Sequence, residues 1–107
     1  MLTKRMVSAM KTINILVNLK AKKGLEKDLE IKLRNLQSCT RGEVGCLDYR
    51  LMKSIKDPSI WTLYEQWISQ VALDTHLQSQ HYQDFSEIVN KLTDGPMAAE
   101  FYEAINF

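Results

Sequence analysis

Trp61-Thr62-Leu63-Tyr64-Glu65-Gln66-Trp67-Ile68, running on through Ser69 to His76 and His81, is the stretch on which the reading of this chain turns. Ile60 to Ile68 reads as a buried strand, rich in aromatic and β-branched residues and preceded by turn residues. Ser69 is suited to cap a short helix whose inner edge carries Ala72, Leu73, His76 and Leu77. Ser79 is suited to cap the next, in which Tyr82, Phe85, Ile88, Val89 and Leu92 form an apolar stripe. Both histidines and both tryptophans of the chain fall between Trp61 and His81, so the chemistry is sought there.

Upstream, Lys56-Asp57-Pro58-Ser59 is a turn, because proline presets φ. The segment before it, Cys46 to Ser54, alternates in period two. Leu47, Tyr49 and Leu51 share one face; Cys46, Asp48, Arg50 and Met52 share the other. The two segments therefore form an antiparallel hairpin. Thr40 to Gly45 is a break. Before that, Leu25, Leu29, Leu33 and Leu36 recur at helical spacing, with Glu30 and Arg34 four apart in the favourable order. Lys11 to Lys20 is a further strand, with Ile13, Ile15, Val17 and Leu19 facing the core. Its other face, Asn14, Leu16 and Asn18, has two readings. It is a solvated surface, or it lines a cavity with the asparagines as hydrogen-bond donors.

Downstream, Thr93-Asp94-Gly95-Pro96 ends the last helix. The tail, Met97 to Phe107, has helical propensity over Met97 to Ala104, but Phe101, Glu103 and Ile105 alternate as in a strand. A β-α-β-β-α order needs a fourth strand to complete a ferredoxin-like sheet, so part of the tail is expected to be strand. The fold class is α+β, an antiparallel sheet with helices on one face. Residues 1–10 read as a loose extension and 11–107 as one domain.

At 107 residues and net charge +1, the chain has no basic run able to track a phosphate backbone, and nucleic acid is not an expected partner. No stretch is long and apolar enough to span a bilayer. Two cysteines, Cys39 and Cys46, do not make a disulfide framework and suit a reduced, cytoplasmic setting. A chain this short gains from pairing, which favours a homodimer.

Three segments carry a resemblance. Glu43-Val44-Gly45-Cys46-Leu47-Asp48-Tyr49 resembles the E-x-G-C-x-x-Y segment of the antibiotic biosynthesis monooxygenase (ABM) family. Leu63-Tyr64-Glu65-Gln66-Trp67 resembles its E-x-W strand. His76-Leu77-Gln78-Ser79-Gln80-His81-Tyr82 resembles its H-x-x-(S/T)-x-H segment, with Phe85 at an aromatic position. Order and spacing agree from Lys11 to Leu92. Val44 departs from the proline or acidic residue common there. The resemblance implies a ferredoxin-like protomer, a dimeric α/β-barrel, and a pocket between sheet and helices. It also implies chemistry such as cofactor-free oxidation of quinols and anthrones, haem degradation, or isomerisation of phosphorylated autoinducer sugars.

His76 is the leading catalytic candidate, since a neutral imidazole can take a proton from a phenol or from a carbon beside a carbonyl. Glu65, the second catalytic candidate, shares a strand face with Trp67 and needs a partner if buried; Arg50 and His76 are the expected ones. Trp67 offers a flat wall and an N–H donor to a substrate. Asn14, Asn18 and Tyr49 are candidate hydrogen-bonding groups toward a substrate carbonyl or enolate. On one continuous helix His81 would sit about 140° round from His76, so the two converge only if the chain breaks near Ser79. No metal site is expected on that ground, and no cofactor, because there is no glycine-rich phosphate loop. The expected substrate is a small electron-rich aromatic, oxidised by a cofactor-independent monooxygenase. The alternatives are an isomerase of a phosphorylated carbonyl compound, with Lys20, Arg50 or Lys53 at the pocket mouth, and a dimeric ligand-binding protein without turnover.

Overall fold

The structure, a computed structural model, describes residues 11–105. The expected N-terminal extension lies outside the described residues. The elements run β1 (Ile13–Lys20), α1 (Glu26–Thr40), β2 (Cys46–Lys53), β3 (Ile60–Trp67), α2 (Gln70–Leu77), α3 (Gln80–Leu92) and β4 (Ala98–Tyr102). The four strands form one antiparallel sheet in the order β2-β3-β1-β4. This is the ferredoxin-like arrangement, completed by a tail strand as the order of elements requires.

Alternation places Ile15, Val17, Leu19, Tyr49, Trp61, Leu63 and Trp67 on one face of the sheet. There they pack with Leu29, Leu33 and Leu36 of α1, Leu73 of α2, and Phe85, Val89 and Leu92 of α3. The helices thus cover one face only. The turn at Gly24 has φ of +88°, a left-handed conformation that glycine adopts without strain. The Glu26 carboxylate, in the first turn of α1, accepts from the Gly24 N–H at 2.9 Å and helps fix where that helix starts.

The alternation fails once. The β2–β3 register pairs Cys46 with Trp67 and then Asp48 with Gln66, so Leu47 is an extra residue in a β-bulge. Leu47 was expected to share a face with Tyr49 and Leu51. It is exposed instead, and Cys46 packs toward the core. Burial then pushes the Cys46 thiol up to about 11, which keeps it protonated and unreactive.

Ser69 and Ser79 both cap helices as their positions suggested. Ser69 Oγ accepts from Ala72 N–H at 3.1 Å, and Ser79 Oγ accepts from Tyr82 N–H at 3.3 Å. The Ser79 hydroxyl also donates to the His76 carbonyl at 2.6 Å. One side chain therefore finishes α2 and starts α3, and the chain turns sharply between His76 and His81. Among the described residues, no helix is long and apolar enough to cross a membrane.

Candidate active site

The break at Ser79 removes the geometric objection to His81. The two imidazoles converge on one carboxylate oxygen: His76 Nδ1 lies 2.6 Å and His81 Nε2 lies 2.8 Å from Oε2 of Glu43. Neither Glu65 nor Arg50 takes part. Glu43 sits in the loop between α1 and β2, held by its N–H to the Thr40 carbonyl and by its own carbonyl accepting from Cys46 N–H. Gly45 is what lets that loop approach. A Cβ placed on Gly45 would lie 2.2 Å from the Ala72 side chain of α2, so any side chain would drive loop and helix apart.

His76 is 1% exposed and enclosed by aromatic rings. The Trp67 ring lies 4.6 Å away at an interplanar angle of 33°, and Tyr82 lies at 5.1 Å. Burial pulls the imidazolium below the ordinary histidine range, against the opposing pull of the Glu43 carboxylate. His76 is therefore neutral near pH 7. A neutral ring that gives its Nδ1 proton to a carboxylate presents a bare lone pair on Nε2.

His76 lines a cavity of about 270 Å³ between sheet and helices. The cavity is bounded mainly by apolar groups, including Val17, Leu63, Leu73, Phe85 and Phe101. Its polar groups are few: His76, Glu65, Tyr49 and Tyr82. This mixture of apolar walls and a small number of polar groups is what small-molecule sites show.

Glu65 is nearly buried, and its partner is Trp67, whose indole N–H donates to Oε1 at 2.9 Å. That corrects two expectations: the carboxyl is bonded to neither Arg50 nor His76, and the Trp67 N–H is already engaged. Burial is the main reason the Glu65 carboxyl is held above the usual carboxylate range, with the Trp67 bond opposing and the Glu43 charge adding to it. The folded state therefore favours protonated Glu65. The stability this group contributes is complete below its unfolded value, near 4.5, and is lost as pH rises through the raised folded value. Glu65→Gln keeps an acceptor for Trp67 and removes the buried charge. The variant is expected to melt higher than wild type at about pH 8, the difference closing toward about pH 4, with about 4–8 °C for each kcal/mol gained. An equal or lower melting temperature at the higher pH would contradict this.

Asn14 and Asn18 lie on the opposite face of the sheet. Asn14 accepts from the Tyr64 hydroxyl at 3.0 Å, and Asn18 accepts from the Thr62 hydroxyl at 2.7 Å. Neither lines the helix-side cavity, because even-numbered β1 residues point away from the helices. Tyr49 does line it, almost wholly buried, and burial pushes its phenol up so that it stays protonated. Trp67 backs the His76 ring and is not among the cavity's lining residues. His81 faces a second hollow, between α1 and α3, with Lys32, Cys39 and Asp84. Sequence reasoning missed Glu43 as the histidine partner, Tyr82 as a polar lining group, and the wall made by Met97, Ala99 and Phe101. The signal for the first was present, since Glu43 opens one of the three motif segments.

The chain is thus a small α+β protein, with a four-stranded ferredoxin-like fold and a carboxylate-held histidine facing a sheet–helix cavity. Residues 12–88 match the family described as antibiotic biosynthesis monooxygenase, and the chain belongs to that family. Over 59 residues, 55% of this chain and 57% of the relative, it is 39% identical to the Mycobacterium tuberculosis protein named "Putative monooxygenase Rv0793". The chain thus spans just over half the length of that curated relative. The solved structure of Rv0793 superposes with a TM-score of 0.85 at 25% identity, covering 90% of this chain and 97% of that one. PA3566 from Pseudomonas aeruginosa gives 0.86 at 26% identity, covering 92% and 98%.

Proposed function

We propose that this protein is a cofactor-independent monooxygenase that oxidises a small electron-rich aromatic of the quinol or anthrone type. The observation that carries the reading is the buried His76, with Nδ1 tied to Glu43 and its ring against an apolar cavity. In that arrangement Nε2 takes a proton from the bound substrate. Glu43 holds the ring in the required tautomer and stabilises the imidazolium that forms, as the acid of a catalytic triad does. The substrate anion is electron-rich enough to reduce O2 and to couple with it as a peroxide. Return of the proton from His76 lets the peroxide lose water. For an anthrone, the CH2 becomes C=O, one oxygen atom enters the product, and the other leaves as water. The protein's share is positioning, proton transfer and exclusion of bulk water. The Tyr49 phenol, kept protonated by burial, would donate a hydrogen bond to a substrate oxygen, and Glu65 lines the same cavity.

The isomerase alternative called for a cation at the cavity mouth. The cavity lining contains no lysine or arginine. Arg50 pairs with Asp48, and Lys53 lies near Glu30 and over the Trp61 ring. Oxygen uptake by EDTA-treated protein with a panel of hydroquinones and anthrones tests the leading reading. Uptake well above the protein-free background is expected; background rates throughout would sink it.

The helix-free face of the sheet carries Leu16, Tyr64, Met52 and Tyr102 among its polar residues, which supports a homodimer formed through that face. Light scattering should give twice the chain mass, and a monomer at micromolar concentration would refute the dimer.

A further inference from the structure

We propose that Glu43, His76 and His81 form a binding site for a divalent transition-metal ion, and that filling it deprives His76 of its function as a base. The first half stands on geometry alone; the second rests on the reading of His76 given above.

One carboxylate oxygen and two imidazole nitrogens, from three separate segments, lie within 4.8 Å of one another. Two imidazoles and a carboxylate suit Zn2+, Co2+ or Fe2+, and are a poor set for Ca2+ or Mg2+, which prefer oxygen throughout. Two hydrogen bonds now span the positions between the donors, at 2.6 and 2.8 Å. A tetrahedral ion with bonds of about 2.0–2.2 Å would set its ligands about 3.3 Å apart, so the two hydrogen-bonded pairs need open by less than about 1 Å, and the two imidazole nitrogens, within 4.8 Å of each other, need adjust by no more than about 1.5 Å. The side chains best placed to move are those nearest solvent. Glu43 is on a loop with its side chain 16% exposed, and His81 is in the first turn of α3 at 26%. His81 also faces the hollow between α1 and α3, which gives an ion a way in from outside the apolar cavity. His76 closes the site from within, and the fourth position is left to water.

The consequence for His76 follows from its two nitrogens. In the hydrogen-bonded state the ring proton is on Nδ1 and the lone pair is on Nε2. An ion bound at Nδ1 requires the lone pair there, so the ring proton moves to Nε2. His81 shifts likewise, from Nε2–H to Nδ1–H, and no proton is lost overall. Nε2, the nitrogen not bonded to Glu43, becomes a donor and can no longer accept a proton.

Equilibrium dialysis of the full chain against Zn2+, with Co2+ absorption to report the ligands, tests the site. The expected result is one ion per chain, an absorption pattern of nitrogen and oxygen ligation without thiolate charge transfer, and at least tenfold weaker binding in His81→Ala. His81→Gln serves as a second variant that retains side-chain volume, and Cys39→Ser should bind as wild type does. Uptake equal in wild type and both His81 variants, or a thiolate band that Cys39→Ser abolishes, would overturn the site. So would no uptake at all. The tautomer is read separately by 15N spectroscopy of the imidazoles. His76 should carry its proton on Nδ1 without metal and on Nε2 with Zn2+, and a ring that keeps its Nδ1 proton in the loaded protein overturns the second half. Because neither readout needs turnover, failure of the monooxygenase reading and failure of this one remain distinguishable.

Discussion

His76→Ala should lower quinol or anthrone oxidation by about 10²–10⁴-fold, the usual contribution of a positioned general base. The loss should fall on kcat, because the ring makes up only one part of the cavity wall and the apolar lining remains. Truncating a side chain that is 1% exposed also leaves a void beside Trp67, so His76→Asn is the companion variant, retaining a polar group of similar reach. Both should fold, as judged by circular dichroism, and both should be slow. Glu43→Gln is expected to lie between these and wild type, at least about tenfold down in kcat with little change in KM. The reason is specific: a glutamine amide can donate to Nδ1 as well as accept from it, so the ring is no longer confined to the productive tautomer. Activity in His76→Asn within twofold of wild type would remove this residue from the mechanism.

Gly45→Ala is expected to cost about 1–3 kcal/mol, the usual penalty for overpacking, and so to lower the melting temperature by roughly 5–20 °C. The added Cβ would meet the Ala72 Cβ at 2.2 Å and the Ile68 side chain at 3.3 Å. Backbone strain is not the cause, since Gly45 is absent from the glycines with positive φ. The clash lies between the loop that carries Glu43 and the helix that carries His76, so relaxation moves the two ends of the 2.6 Å hydrogen bond apart. Stability and activity should fall together. The double variant Gly45→Ala/Ala72→Gly, which returns the space, should recover most of both. A melting temperature within about 2 °C of wild type would show that α2 yields freely.

The fold was legible because its signals are local. Ile13 to Leu19 and Trp61 to Trp67 alternate cleanly, Leu29, Leu33 and Leu36 repeat at helical spacing, and Ser69 and Ser79 sit where helix starts need them. The β-bulge at Leu47 was not legible, because nothing in Cys46-Leu47-Asp48 marks an inserted residue; the register against β3 decides it. The site was legible in its residue types and not in its pairings. His76 was found from its helical position, but its partner comes from 33 residues earlier through a loop without periodicity. Asn14 and Asn18 drew attention as polar residues in an apolar strand. Strand period alone cannot say which face the helices will cover, and they cover the other one.

The two sides of the cavity differ in what they cost to change. His76, Glu65 and Tyr49 are core residues, each 6% exposed or less, and any substitution there is felt by the whole fold. The opposite wall, Ala99 and Phe101 with neighbouring Met97, belongs to or adjoins an edge strand in which every residue is exposed. Substitutions at such positions usually shift stability by no more than about 0.5 kcal/mol. The buried polar groups and the outline of the space they face can therefore be altered separately. Substitution at Met97, Ala99 and Phe101 would change the size and shape of that space while His76, Glu65 and Tyr49 stay as they are.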